Sequence, residues 1–273
     1  MISAALSVAV FGSQTALRSE VDVQTIIQNS VAANKADWNA DPNYSYKERD
    51  RIGTISKTYQ VTMIEGSPYR RLIAVNNEPL PMDHNVQEER KLQQVIAQRK
   101  AESADQRAKR IAKYQAERKR DHLMMDQLTR AFDFKLLGEK KLGSYDVYVL
   151  RATPRNGYKP PNMEAQVLPG MRGELWIDQK SFQWVKVTAQ VIHPVSIEGF
   201  LARVEPGTRF ELEKMPVDNG IWLAKHFSMK SSAKILFMFN RSEQEDNTFF
   251  DYRKIAGSAS ESISNPASGA RSK

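Results

Sequence analysis

The residue types that usually carry catalysis or bind metal are either missing from this sequence or scattered along it. There are no cysteines, which excludes disulfides, thiolate metal sites and cysteine nucleophiles. No H-x-H or H-E-x-x-H spacing occurs among the histidines, and a metal site needs ligands that converge. No nucleophile-elbow motif is present, and no Asp or Glu stands out as the base of a nucleophile–base couple. We therefore predict a non-enzymatic protein with no metal site and no cofactor. The histidines are His84, His122, His193 and His226.

The apolar residues are instead arranged as strands, and the pattern is clearest in residues 172–192. One alternating run ends at Asp178, a polar turn follows at Gln179 and Lys180, and a second run begins at Phe182. β-branched and aromatic residues with a period of two mark strands that have one buried face. This segment predicts a β-hairpin, and function must then come from what such a sheet could enclose.

About eleven runs of this kind are present, joined mostly by short polar turns. Short connections favour an up-and-down antiparallel sheet that curls towards a barrel. An amphipathic helix precedes the strands at residues 20–38, with Val23, Ile26, Ile27 and Val31 at helical spacing. The fold class that we predict is α+β, mainly β: a curved antiparallel sheet, or unclosed half-barrel, covered by helices. The predicted strands are residues 44–50, 54–65, 69–75, 134–139, 145–152, 173–178, 182–192, 208–214, 221–231, 234–240 and 248–254.

A long helical insertion interrupts the strands at residues 83–132. Residues 84–121 contain eleven Lys and Arg against six Asp and Glu, so this segment carries +5 of the total net charge of +8. Ser103 and Gln106 have the S-x-x-Q spacing of a capping box, which predicts a break near residues 102–104. The apolar stripe is thin until Leu123. We therefore expect the far end of the insertion to pack on the sheet and its middle to project.

The basic charge of the insertion has three interpretations. A solvated helix held by i,i+4 pairs needs no partner. Alternatively, Arg107, Lys109, Arg110 and Lys113 contact anionic lipid headgroups or the acidic surface of a membrane complex. Nucleic-acid binding is the third interpretation, since the charge suits it. Nucleic acid is nevertheless not a predicted partner, because Tyr114 is the lone aromatic residue suited to base stacking in this basic stretch.

Both ends of the chain differ from the predicted domain, which covers residues 20–255. Residues 2–11 form a short apolar stretch, which is too short to span a bilayer and is typical of a signal peptide. We interpret residues 1–19 as a signal-peptide remnant, with a buried N-terminal strand as the alternative. Residues 256–273 are mostly Ser, Ala, Gly and Asn and predict a disordered tail. An exported, periplasmic protein is the expectation.

Four segments in this order resemble a known family. They are the helix VDVQTIIQNSVAAN before the strand YSYKERD, the hairpin GELWIDQKSFQWVKVTAQV, the meander FELEKMPVDNGIWLAKHFSMKSSAKILFMFN and the late strand FFDYRKI. Together they resemble the LolA and LolB lipoprotein carriers and the related lipid-binding domain of the sigma-factor regulator RseB. The resemblance implies an unclosed barrel whose apolar concave face shields acyl chains in the periplasm. The insertion is longer and more basic than a lid helix of that family needs.

The late strands supply candidate residues for such a concavity, because they are apolar on both faces. An ordinary packed core is the alternative explanation of the same pattern. The function that we predict is a carrier or sensor of lipid or acylated lipoprotein in the cell envelope. The alternative is an RseB-like interaction protein that docks on a membrane complex through its basic helix. The candidate ligand-binding residues are Phe182, Trp184, Trp222, Phe227, Leu236, Phe237 and Phe239.

Overall fold

A computed structural model of the chain describes residues 22–197, 202–235 and 239–255. The predicted signal-peptide remnant, the predicted tail, Leu236 and Phe237 lie outside these residues. Among the helices that are described, none is both long enough and apolar enough to cross a membrane.

One antiparallel sheet organises the molecule. Eleven of its strands follow one path in the order β4-β3-β2-β1-β13-β12-β11-β8-β7-β6-β5, and β10 pairs with β12 and β9 beside this path. The sheet ends at β4 on one side and at β5 on the other, which confirms the predicted unclosed antiparallel sheet. The strands are β1 Tyr44–Ile52, β2 Ile55–Ile64, β3 Ser67–Val75, β4 Glu78–Pro79, β5 Phe132–Leu142, β6 Tyr145–Pro154, β7 Met171–Asp178, β8 Trp184–Val191, β9 Val195–Ile197, β10 Ala202–Val204, β11 Arg209–Asp218, β12 Ile221–Ile235 and β13 Phe239–Lys254.

The route of the chain through this sheet explains the helical insertion. Strands β1 to β4 step outwards to one edge of the sheet. The chain then re-enters at the opposite edge with β5 and steps back until β13 pairs with β1, for example at Glu48 opposite Phe249. The segment between β4 and β5 therefore connects the two outer edges of the sheet.

Helices form this connection and also precede the sheet. The helices are α1 Val23–Ala40, α2 Met82–Lys100, α3 Ala104–Asp126 and α4 Leu128–Ala131, with 3₁₀ helices at Asp41–Asn43 and Glu164–Gly170. The break between α2 and α3 falls where the capping-box spacing predicts it. The Ser103 amide donates to Gln106 Oε1 at 3.0 Å, and the Gln106 amide donates to Ser103 Oγ at 3.3 Å.

The expectation that the middle of the insertion projects is wrong. Arg99 Nη1 donates to the carbonyl oxygens of Ile64 and Ser67 at 2.9 and 2.8 Å, and Arg110 Nη1 donates to Ser67 Oγ at 2.7 Å. A Cβ on Gly66 would lie 2.8 Å from Cδ1 of Ile111, and the φ of 85° at Gly66 favours glycine at this position. The insertion packs on the β2–β3 turn because it has to cross from one edge of the sheet to the other.

The main hydrophobic core lies between α1 and the β5–β8 end of the sheet. Ile26 of α1 packs with Leu150, Ile177 and Trp184, and all four are buried. We call the face of the sheet that α1 covers the inner face. A smaller cluster lies on the opposite, outer face and contains Val147, Val149, Val185 and Trp222.

Candidate binding surface on the inner face

One end of the inner face is closed by α1. Asp22 caps this helix by accepting hydrogen bonds from the amides of Gln24 and Thr25. The indole Nε1 of Trp184 donates to Ser30 Oγ of the helix at 3.2 Å, and Trp184 is only 3% exposed. Apolar packing and this buried hydrogen bond hold α1 on the sheet, so Trp184 belongs to a filled core.

A buried carboxylate fixes the C-terminal half of α1. Asp37 Oδ1 accepts hydrogen bonds from Gln183 Nε2 at 3.0 Å and from the Trp222 amide at 2.9 Å, and its second oxygen pairs with the Lys214 ammonium. Burial lowers the pKa of Lys214, and the charge of Asp37 opposes this effect. A paired charge of this kind costs less than a lone buried one, because each group compensates the other. The network anchors α1 to the β7–β8 connection, β11 and β12.

Beyond the residues packed under α1, the inner face carries an apolar strip. We define the strip as Val187, Phe210, Leu212, Phe227 and Met229. Leu212 lies directly opposite Val187 on one side and Phe227 on the other, while Phe210 lies opposite Met229. Directly opposed residues share a face of the sheet, and all five side chains are half-buried. Val187 and Phe210 pack against the main core, so the strip extends that core across β8, β11 and β12.

The same face becomes polar on β13, β1 and β3. Arg70 Nε lies 3.1 Å from Glu48 Oε2, Arg70 Nη2 lies 2.6 Å from Asp50 Oδ2, and its guanidinium lies 4.2 Å from the centre of the Tyr59 ring. Glu245 faces the same way, because it lies opposite Met229 of the strip. The inner face is therefore not apolar throughout, contrary to the predicted concavity.

Burial changes the ionisation of this polar patch. It raises the pKa of Glu48 to about 7, an effect that Arg70 opposes and that the nearby acids Asp50 and Glu245 increase. Burial also raises the pKa of Tyr46, whose ring centre lies 5.2 Å from that of Tyr252. Carboxylates held close together in a partly dry site resist full ionisation. The patch consequently holds a carboxyl group that titrates near neutral pH.

The structure separates the predicted ligand-binding residues. Trp184 is in the core under α1, and Phe182 is half-buried against that core. Trp222 lies on the outer face, with its ring centre 5.0 Å from that of Tyr145, so it does not share a concavity with Trp184. Phe227 lies in the apolar strip. The side chain of Phe239, like Leu236 and Phe237, is outside what the structure describes.

The predicted contact residues of the basic helix also fall into two groups. Arg107 Nη2 lies 3.3 Å from Glu65 Oε2, and Arg110 Nε donates to Glu102 Oε1 at 2.7 Å, so both are used within the molecule. Lys109 and Lys113 are exposed on the other side of α3. Contact of these two lysines with an anionic membrane or an acidic partner stays a prediction.

Sequence reasoning did not single out Val187, Leu212 and Met229 as members of the strip, nor the patch around Glu48. Their alternation with polar neighbours was visible, but only strand register places them side by side. Across the part of the chain that the structure describes, no group of three or more His, Asp or Glu residues is arranged to hold a metal ion.

No family model and no curated protein matches this sequence. Solved structures similar to it include an outer-membrane lipoprotein-sorting protein domain from Vibrio parahaemolyticus, with 11% identity and a TM-score of 0.32 over 84% of this chain and 94% of that chain. A LolA superfamily protein from Nitrosomonas europaea has 11% identity and a TM-score of 0.32 over 86% and 94%. A chain of the MucA/MucB complex from Pseudomonas aeruginosa has 13% identity and a TM-score of 0.24 over 84% and 99%.

Structures of the LolA superfamily, to which the sequence shows a resemblance, are thus among those that this chain is similar to. At these TM-scores the backbones of the matched structures do not superpose closely on that of this chain, so they do not locate a binding site in it. Function is therefore inferred from the residues of this chain.

Proposed function

We propose that this protein binds an acyl chain on the inner face of its sheet and acts as a non-enzymatic carrier or sensor of lipid or acylated lipoprotein. The observation that carries the proposal is the apolar strip, which extends the core beyond the residues packed under α1. Each methylene group removed from water contributes about 0.8 kcal/mol to the free energy of binding. An elongated apolar ligand laid along the strip would gain this free energy without any catalytic group.

The surroundings of the strip support this function. The core closes one end of the strip, and the polar patch around Glu48 and Arg70 flanks the other. An acyl chain carries a polar headgroup at one end, so an apolar strip that runs into a polar patch suits both parts of such a ligand. The signal-like N-terminal residues and the resemblance to periplasmic carriers support a location in the periplasm.

A single charge placed on the strip tests the proposal. Phe227→Glu should weaken binding of a fluorescent fatty acid at least tenfold, because a carboxylate would be brought against the acyl chain. Ser228→Glu is the matched control, since it adds the same charge at the next residue of β12, whose side chain points to the outer face. Fluorescence titration gives both dissociation constants, and far-UV circular dichroism checks that both variants are folded.

Equal weakening by the two variants would mean that the strip does not bind the ligand. The proposal would fail in the same way if the unaltered protein showed no saturable binding of the fatty acid.

A further inference from the structure

The outer face carries a row of basic and amide side chains that crosses five neighbouring strands. Gln190 lies directly opposite Arg172 on β7 and Arg209 on β11, Arg209 lies opposite Lys230 on β12, and Lys230 lies opposite Gln244 on β13. Directly opposed residues share a face, so all five side chains point outwards. We call Arg172, Gln190, Arg209, Lys230 and Gln244 the cationic row. It has three positive charges and no carboxylate.

The charges of this row are not neutralised by the carboxylates beside it. Glu211, two residues from Arg209 on the same strand, lies 2.6 Å from Lys186 Nζ, and Glu174 lies 3.8 Å from Arg151. Both acids are thus paired away from the row. Within the described residues, neither Arg209 nor Lys230 has an ion-pair or hydrogen-bond partner. Like charges directly opposite each other in a sheet are destabilising, so this arrangement costs free energy in the absence of an anion.

Arg172, in contrast, is held in place. When the Gln190 amide is oriented with its oxygen towards Arg172, that oxygen accepts hydrogen bonds from Nη2 at 2.9 Å and from Nε at 3.0 Å. The Gln190 amide nitrogen then faces away from Arg172 as a free donor. The row therefore offers guanidinium, ammonium and amide N–H groups, all of which are donors to anionic oxygens.

A groove lies over the row. It has a volume of about 860 Å³, and its lining includes all five members, the hydroxyl-bearing residues Thr153, Thr188 and Ser228, the carboxylates Glu174, Glu211 and Glu245, and Phe210 and Met229 of the apolar strip. Its residues come from six strands of the curved sheet. A ligand in this groove would meet donors spread across the strands.

We propose that this groove binds a soluble ligand that carries two or more phosphate groups. One phosphate lies between Arg209 and Lys230, where it relieves their mutual repulsion, and another lies at Arg172. With strands about 4.8 Å apart, the backbone of Arg172 is about 10 Å from that of Arg209 across the sheet, so a ligand with more than one phosphate suits the spread of the three cations. Arginine binds phosphate through its fork of N–H groups, and lysine binds it as a point charge.

The shape of the site favours a soluble ligand over a membrane surface. The cations line a concave groove, and a flat bilayer cannot follow such a groove across six strands. The side chains of the cationic row point to the opposite face of the sheet from those of the apolar strip. Phe210 and Met229 of the strip nevertheless also contribute to the lining of the groove.

Isothermal titration calorimetry with inorganic tripolyphosphate at low salt tests this proposal, and inorganic phosphate provides the weaker comparison. Arg209→Gln combined with Lys230→Gln should weaken tripolyphosphate binding at least tenfold. Lys109→Gln combined with Lys113→Gln on α3 removes the same charge from another surface and should leave binding within twofold. Without ligand, the Arg209/Lys230 variant should melt at a higher temperature than the unaltered protein, because the repulsion between the two cations is gone.

Other results would overturn the proposal. Equal loss of binding in the two double variants would show an effect of net charge, and absence of binding would show that the row is an ordinary solvated surface. Vesicles of phosphatidylglycerol form the last arm of the experiment. If the vesicles bind through Arg209 and Lys230 while tripolyphosphate does not, the partner is a membrane, and a soluble ligand is ruled out.

Discussion

Single residues decide which parts of the inner face are closed and which can meet a ligand. Trp184 and Asp37 each bond to a partner far away in the sequence, Ser30 and Lys214 respectively, and these bonds hold α1 over the core. Phe227 lies outside both hydrophobic clusters and is half-buried. Two aromatic residues of the same sequence pattern thus differ in role because one lies under a helix.

Glu48 should make the stability of the protein depend on pH. Its pKa is raised by burial to about 7 in the folded protein, above the ordinary value of 4.5 for a glutamate. Between these two values the folded state binds more protons than the unfolded state, so stability falls as pH rises from about 4.5 to about 7. Glu48→Gln removes the charged form and should stabilise the protein at pH 8 by about 1–2 kcal/mol, with little effect at pH 4.5. Urea denaturation at both pH values measures the difference.

Glu117→Gln on the exposed side of α3 is the control for this measurement and should change stability little at either pH. A gain at pH 8 that is the same for both variants, or a gain for Glu48→Gln that is equally large at pH 4.5, would contradict the assignment of the titration to Glu48.

At the level of secondary-structure elements, α2 and α3 form the crossover between the two edges of the sheet. They are attached through Arg99 and Arg110 at the β2–β3 turn and through Arg118, whose guanidinium lies 4.3 Å from the centre of the Trp38 ring at the end of α1. Among the side chains that the structure describes, neither hydrophobic cluster includes a residue between Met82 and Asp126. The crossover therefore restrains the sheet without forming its core.

Replacement of residues 88–115 separates these two roles. A Gly/Ser linker of the same length should leave a cooperative thermal transition, because the core is intact. A linker of about six residues should melt several degrees lower, because the shortened crossover would have to pull α4 or the end of α3 away from its contacts to reach both edges. Differential scanning calorimetry compares the two variants. Identical melting temperatures would show that the stability of the protein does not depend on the length of this segment. Loss of any cooperative transition would show that the protein needs these helices to fold.

On the scale of the whole molecule, the two faces of the sheet have different chemistry. The inner face carries the apolar strip and the outer face carries the cationic row, while β8, β11 and β12 contribute to both. Side chains that alternate along a strand point to opposite faces. One set of strands can therefore present two unrelated surfaces.

Ligands on the two faces should bind independently. A saturating concentration of fatty acid should change the dissociation constant of tripolyphosphate by less than twofold, because the side chains of the two sites point to opposite faces of the sheet and the strands that carry them are held together by antiparallel pairing. Calorimetric titration of tripolyphosphate with and without fatty acid measures the coupling. A tenfold change in either direction would mean that the sheet has two arrangements and that each ligand selects between them.

Local patterns in the sequence were enough to predict several parts of this protein. Alternation along residues 172–192 predicted the β7–β8 hairpin, helical spacing of Ile26 and Ile27 predicted α1, and Ser103 with Gln106 predicted the break in the insertion. Each of these features depends on residues close together in the chain, where periodicity and capping act directly.

Tertiary structure alone decided the placement of the surfaces. Arg172 and Lys230 share one row only because β7, β8, β11 and β12 pair in a particular register, and a shift of one residue would turn either side chain to the other face. The register of the strands also places Trp222 and Trp184 on opposite faces of the sheet. The insertion packs against the molecule because β4 and β5 are at opposite edges. These relations join residues that are far apart in the chain, and no local pattern of residue types encodes them.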